Sequence, residues 1–262
     1  MDADRITSLI GSAAANAPRS LQETLGPSEA GEPCTRRLAY KMMCVRPAAA
    51  ERDVPWAAIQ GTAVHAWLAE MFRAENARLG RERYLVEHRV RPATDEDLRT
   101  LTLPSDLAGS CDLFDRDTGT VTDWKLTSPS RLKEYVRHGP GDLYRIQGHL
   151  YGRGMANAGE NVRHVSVVFL PRAASLTGLH VWSEPYDPDV AVTALARLAG
   201  IRDALFALDP EHFPGRWGLF PVSPKTCRYC PWLKTGSRYL AAGCPGHPDA
   251  AIVTGSEESL IA

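Results

Sequence analysis

Three residues near the middle of the chain have the types and spacing for metal-assisted hydrolysis: Asp112, Asp123 and Lys125. Asp112 closes Gly109-Ser110-Cys111-Asp112, and Asp123 and Lys125 lie in Val121-Thr122-Asp123-Trp124-Lys125. Between them Asp115-Arg116-Asp117-Thr118-Gly119 is rich in turn formers, so Leu107–Phe114 and Thr120–Leu126 are expected as a β-hairpin. Residues two apart on a strand share a face. Asp123 and Lys125 are therefore neighbours, and the hairpin can bring Asp112 opposite them. Two carboxylates at one end of a sheet can hold hard divalent cations through oxygen. Such cations prepare a water nucleophile and offset the charge of a pentacovalent phosphorus centre, and a nearby lysine can orient the water or neutralise developing charge. Asp-x-Lys alone is a common pattern, and an exposed hairpin with scattered charges would also produce it. The second acid at hairpin distance sets this instance apart.

Two further groups can join that chemistry. His65 sits in Gly61-Thr62-Ala63-Val64-His65, and a neutral imidazole nitrogen is a metal ligand, although a lone helical histidine is more often a satisfied core or surface residue. Gln147 and Tyr151 are four apart in a helical stretch and so share one face. Both can hydrogen-bond a phosphate or a DNA strand, but the pair by itself is uninformative.

The six cysteines are Cys34, Cys44, Cys111, Cys227, Cys230 and Cys244. The acidic N-terminus has no apolar run of a secretory leader, which argues against a disulfide framework and for a cytoplasmic protein. Cys227-x2-Cys230-x13-Cys244 suits a metal or cluster site or a redox pair. Three thiolates need a fourth ligand. His247, three positions after Cys244, would complete a Cys3His zinc site. A thioredoxin-like dithiol would need a βαβ context that the sequence does not provide. Cys44 and Cys111 read as ordinary buried cysteines, with Cys44 in reserve as a ligand.

The elements that must position these groups follow from periodicity. Helices are expected around Arg5–Ala14, over Cys34–Cys44, at Trp56–Leu79, at Leu143–Met155 and at Asp187–Leu208. In the Trp56–Leu79 helix, Ile59, Ala63, Ala66, Trp67 and Met71 fall on one apolar face. Strands are expected at Tyr84–Val90, Leu98–Leu103, the two arms of the hairpin, Val162–Leu170 and Leu179–Trp182. Pro47 and Pro55 mark a loop, and the tail after His247 reads as loosely ordered. This order indicates one mixed α/β domain with helices on a central sheet.

Composition bounds the rest. The 262 residues are 44% hydrophobic and 23% charged, which suits one sizeable core and excludes disordered, collagenous and coiled-coil chains. No uncharged apolar run is long enough for a membrane helix. The net charge of −1 argues against coating nucleic acid through bulk charge, yet leaves room for a local basic cleft. Of the 30 basic residues only five are lysines, an excess of arginine that a GC-rich genome accounts for and that makes Lys125 less accidental.

In order, the chain shows G-x-x-x-H (Gly61 to His65), G-x-x-D (Gly109 to Asp112), D-W-K (Asp123 to Lys125) and Q-x-x-x-Y (Gln147 to Tyr151). Each motif is weak alone. Four in this order resemble the PD-(D/E)xK nuclease superfamily, specifically its RecB-like exonuclease branch, which includes CRISPR adaptation nucleases and phage exonucleases. The resemblance spans residues 34–244. One departure is Cys111, which stands where the signature proline would precede the first acid.

The resemblance implies an α/β, restriction-endonuclease-like core with a central mixed sheet flanked by helices. It would divide the chain into an N-terminal segment (1–33), a nuclease domain (34–247) and a flexible tail (248–262). His65, Asp112, Asp123 and the Trp124 carbonyl would bind Mg²⁺ or Mn²⁺. Asp112, Asp123 and Lys125 would be catalytic, with Gln147 and Tyr151 as the branch's auxiliary motif. Cys34, in Cys34-Thr35-Arg36-Arg37-Leu38-Ala39-Tyr40, matches the C-x-R-x-x-Y start of members carrying a 4Fe–4S cluster, and Cys34, Cys227, Cys230 and Cys244 would hold it, joining the N- and C-terminal segments. Zinc remains the alternative there.

The implied activity is metal-dependent DNA exonucleolysis from single-stranded or duplex ends, in recombination, repair or replication, in a bacterial or phage-infected cytoplasm. The alternatives are a CRISPR-adaptation-type trimming nuclease acting with adaptation or recombination proteins, and a non-catalytic DNA-binding module clasped by a cluster or zinc. Arg36, Arg37, Arg131, Lys133, Arg137, Arg145, Tyr135 and Tyr144 are the candidate DNA contacts.

Overall fold

The hydrophobic runs of the chain build one five-stranded sheet. In the computed structural model, which describes residues 2–16, 24–48, 56–103 and 105–250, the strands are Tyr84–Val90 (β1), Gly109–Asp115 (β2), Thr120–Thr127 (β3), His164–Pro171 (β4) and His180–Pro185 (β5). They lie side by side in sequence order. Every neighbour pair is antiparallel except β3 and β4, which run parallel with Thr120 beside His164 and Thr127 beside Pro171. A parallel pair needs a crossover, and two helices between β3 and β4 supply it.

The helices are Ala3–Ala15 (α1), Pro27–Ala30 (α2), Thr35–Met42 (α3), Trp56–Leu79 (α4), Asp95–Thr100 (α5), Pro129–His138 (α6), Gly141–Asn157 (α7) and Pro188–Leu208 (α8). Single 3₁₀ turns follow from Pro214 to Ala242. The chain is thus α/β, with a mixed sheet flanked by helices. None of the described helices is long and apolar enough to cross a membrane.

The crossover packs against one face of the sheet. In α7, Leu150, Tyr151 and Met155 are buried, the last two in a core with Leu85, Phe114, Val121 and Val165. The helix lies close because it is thin where it crosses. A Cβ at Gly152 would sit 2.7 Å from the Tyr186 ring, and one at Gly154 would sit 2.7 Å from Val90. The other face is covered by α4, where Leu68 with Val64 meets Val168, Leu170, Trp124 and Leu126. Phe72 of α4 stacks on Trp124, with centroids 5.7 Å apart. The largest core lies beyond the sheet, where α3 and α8 bring Tyr40, Leu195 and Leu198 against Trp217, Phe220 and Trp232 of the C-terminal segment.

Four sequence expectations are corrected. The alternating segment Leu98–Leu103 is not a strand. Most of it falls in α5 and the turn after it, because Thr94 and Asp97 form a reciprocal capping box: Asp97 N–H donates to Thr94 Oγ1 at 3.1 Å, and Thr94 N–H to Asp97 Oδ2 at 2.8 Å. Helix α6 was not expected. Its start is Ser128, whose hydroxyl accepts from Arg131 N–H at 3.4 Å, followed by Pro129 in the first turn, a start signal that also reads as a turn. The face of α4 carrying Trp67 and Met71 does not point inward. Trp67 is 64% exposed, and the face through Val64, Leu68 and Phe72 packs on the sheet. Cys44 is exposed, in a left-handed residue at φ +51° just past α3, whereas Cys111 is fully buried as expected. Pro55 and the tail residues 251–262 lie outside the described residues.

Candidate active site and cysteine clasp

Asp112 and Asp123 meet where β2 and β3 stop pairing. The ladder ends at Leu113 opposite Thr122. One further step would set Asp112 against Asp123, but there the strands part and the freed Trp124 N–H donates to Asp112 Oδ2 at 2.9 Å. The neighbouring ladder is interrupted at the same level. Between Val86–Leu113 and His88–Cys111 the pair Glu87–Asp112 is missing, and Glu87 adopts φ +50°. A non-glycine residue held in that region costs conformational energy and commonly marks a functional site.

The kink places a third acid beside the pair. The ligand atoms of His65, Glu87 and Asp112 all lie within 4.8 Å of one another. Among the described residues this is the one group of three or more His, Cys, Asp or Glu side chains that close. Glu87 Oε2 also accepts from Ser110 Oγ at 2.7 Å. Sequence reading missed Glu87, since its one signal, a glutamate inside an apolar strand, is also what any solvent-facing position shows.

His65 reaches the site from α4. Its Nε2 donates to the Trp124 carbonyl at 3.0 Å, and its Nδ1 lies 3.5 Å from Asp112 Oδ1. Burial alone would lower the imidazole pKa, but Asp112, and then Asp123, outweigh it and hold it above the ordinary histidine value. Both ring nitrogens thus face oxygen, Nε2 towards the Trp124 carbonyl and Nδ1 towards Asp112.

Asp123 is 2% exposed. Burial drives its carboxyl up to about 6 against the opposing pull of Lys125. Lys125 Nζ lies 2.6 Å from Asp123 Oδ2, and the Tyr144 ring sits under the ammonium at 4.8 Å. Oδ2 accepts no aligned hydrogen bond. The other oxygen, Oδ1, accepts from Gln147 Nε2 at 2.8 Å. Gln147 also pairs with the Tyr151 hydroxyl, and burial raises that phenol well above its ordinary value. His65, Asp112, Asp123, the Trp124 carbonyl, Lys125, Gln147 and Tyr151 therefore form one connected group. The fit to a hard cation is chemical: carboxylate oxygens, a carbonyl and an imidazole converge.

The four cysteines named for a clasp also come together. Cys34, at the start of α3, lines one cavity with Cys227, Cys230 and Cys244. All four are buried. Burial, reinforced by Cys34 and Cys244, raises the Cys230 thiol to about 11 and shifts Cys227 upward as well. Donors surround the sulfurs. Arg36 Nη1 donates to Cys244 Sγ at 3.3 Å, Gly246 N–H to the same sulfur at 3.4 Å, and His247 N–H to Cys227 Sγ at 3.3 Å. Four thiols at one cavity are a donor set for either a tetrahedral zinc ion or an iron–sulfur core.

The candidate DNA contacts separate. Arg36 is buried under the cysteines and also donates to the Gly218 carbonyl at 3.2 Å. Arg37 pairs with Glu32 at 3.0 Å and Arg145 with Glu184 at 2.6 Å. Arg131, Tyr135 and Tyr144 line a cleft beside Lys125, while Lys133 and Arg137 line a separate shallow one on α6. No protein-family model, curated protein or solved structure matches the chain.

Proposed function

We propose that the chain is a metal-dependent DNA exonuclease with a PD-(D/E)xK core of the RecB-like type, carrying a 4Fe–4S cluster that clasps its two ends. The observation that carries the reading is the convergence of Asp112, Asp123, Lys125 and His65 where β2 and β3 part, with Gln147 aimed at Asp123 from the crossover helix. His65, Asp112, Asp123 and the Trp124 carbonyl would hold Mg²⁺ or Mn²⁺, with Glu87 within reach. When bound, such a cation supplies Lewis-acid stabilisation of the phosphate and lowers the pKa of water. Lys125, braced between Asp123 and Tyr144, orients the attacking water and offsets charge on the scissile phosphate. Gln147 fixes the Asp123 rotamer, and Tyr151 fixes Gln147.

Metal-dependent degradation of end-labelled linear DNA tests the reading. Asp123→Ala and Lys125→Ala should each abolish it. Activity surviving both substitutions would rule the site out.

A further inference from the structure

Beside Lys125 opens a cleft of about 330 Å³, within the range of about 300–1,000 Å³ typical of ligand sites. Its walls include Lys125, Arg131, Tyr135, Tyr144, Arg172 and Tyr229. Three aromatic rings and three cations around one opening suit a strand of unpaired nucleotides, whose bases stack and whose phosphates pair with charge. Arg172, just past the end of β4, keeps its Nε buried with no hydrogen-bond partner among the described residues. The Arg172 guanidinium stands in a wall of the cleft, where a phosphate can pair with it. Tyr135 is committed to the fold, stacked on Phe169 at 4.2 Å, and Tyr144 lies under Lys125. Tyr229 is half exposed, has the Arg228 guanidinium 5.8 Å from its ring centre, and stands between Cys227 and Cys230 in the cysteine loop, remote in sequence from every catalytic motif.

We propose that Tyr229 is the base-stacking wall of a single-strand subsite next to Lys125, with Arg172 as its phosphate contact. The subsite rests on the nuclease reading and sharpens it by selecting unpaired DNA. The bases of a duplex are stacked on one another and offer no face to Tyr229, while a single strand can lay a base on the ring. The two buried cysteines that flank Tyr229 hold it at the cleft, so the clasp also shapes the substrate wall.

Binding without catalysis isolates the subsite. A fluorescein-labelled single-stranded oligothymidylate and a duplex of equal length are titrated by anisotropy in EDTA against the intact chain and its Tyr229→Ala, Tyr229→Phe and Arg172→Ala variants. Absorbance of the bound cluster serves as the folding check. Loss of a stacking partner should weaken single-strand binding about tenfold in Tyr229→Ala, whereas Tyr229→Phe keeps the ring and should stay within about twofold of the parent. Arg172→Ala should weaken it several-fold and flatten its salt dependence. Duplex binding should be unmoved by Tyr229→Ala. Unchanged single-strand affinity in Tyr229→Ala, or equal losses for strand and duplex, overturns the subsite. If the parent degrades linear DNA with Mg²⁺ while Tyr229→Ala binds normally, the subsite falls and the nuclease reading stands. If the parent neither binds nor cleaves, both fall.

Discussion

The side chain of Asp123 is held by two neighbours with opposite roles. Lys125 favours its ionised form from beside Oδ2, while Gln147 fixes Oδ1. Gln147→Met should therefore act through Asp123 and not through substrate. Because groups that orient a metal ligand change metal affinity about 10–100-fold when removed, the Mg²⁺ concentration for half-maximal cleavage should rise by that order, with turnover at saturating metal largely restored. Lys125→Met should differ, lowering turnover more than about 100-fold at any metal concentration because it removes charge from the reaction itself. Single-turnover cleavage over a Mg²⁺ series separates the two. At the other centre, Arg36 places a cation against Cys244 Sγ. Positive charge beside the sulfurs favours the reduced cluster, so Arg36→Met should move the reduction potential to more negative values, read by spectroelectrochemical titration.

Elements position these side chains through close approach and through caps. Helix α7 carries Gln147 and Tyr151 against the sheet only because Gly152 and Gly154 leave space for Tyr186 and Val90. Gly154→Val should cost about 1–3 kcal/mol by overpacking and should tilt Gln147 away from Asp123, so that chemical denaturation and cleavage fall together. The cap of α5 adds a pH signature. Partial burial would raise the Asp97 pKa, but the Arg153 guanidinium and the Thr94 backbone and hydroxyl outweigh it and hold it below the ordinary value. A depressed folded-state pKa stabilises the protein above the unfolded value and loses that contribution as pH falls through the folded one. Asp97→Ala should therefore lower the melting temperature at neutral pH, with a difference from the parent that shrinks below about pH 4. A difference independent of pH would show that the charge contributes nothing.

For the whole molecule, a cluster held by the four cysteines, as proposed, would tie one chain end to the other. Cys34 is separated from Cys227 by the whole sheet in sequence, yet both line the same cavity. Such a cross-link would stabilise chiefly by restricting the unfolded chain, and more so for a longer loop. Removal of the cluster, or Cys34→Ser, should lower the melting temperature. It should also expose the segment after Pro210 to limited proteolysis while leaving strands β1–β5 protected, as peptide mapping of the digest would show. Loss of the absorbance band near about 400 nm should track that cleavage.

The strongly periodic elements were readable in advance for a physical reason: Trp56–Leu79 and Tyr84–Val90 carry their patterns within contiguous residues, and the structure keeps those bounds. The acids of the hairpin, its lysine and the cysteine spacing were likewise visible, since side-chain chemistry and strand alternation are local properties. What sequence could not show depends on which surfaces meet. The inward face of α4 was decided by Trp124, Val168 and Leu170, residues far away in the chain. Local capping at Thr94 and Ser128 competed with strand-like and turn-like patterns and won. Glu87 joined the site only through the register of β1 on β2 and a kink that periodicity does not encode. Tyr229 reached the Lys125 cleft only because the cysteine loop folds back beside β3. Residue types and spacing set which chemistry the chain can perform. Long-range packing, a balance of burial and backbone pairing over the whole chain, set where those groups stand.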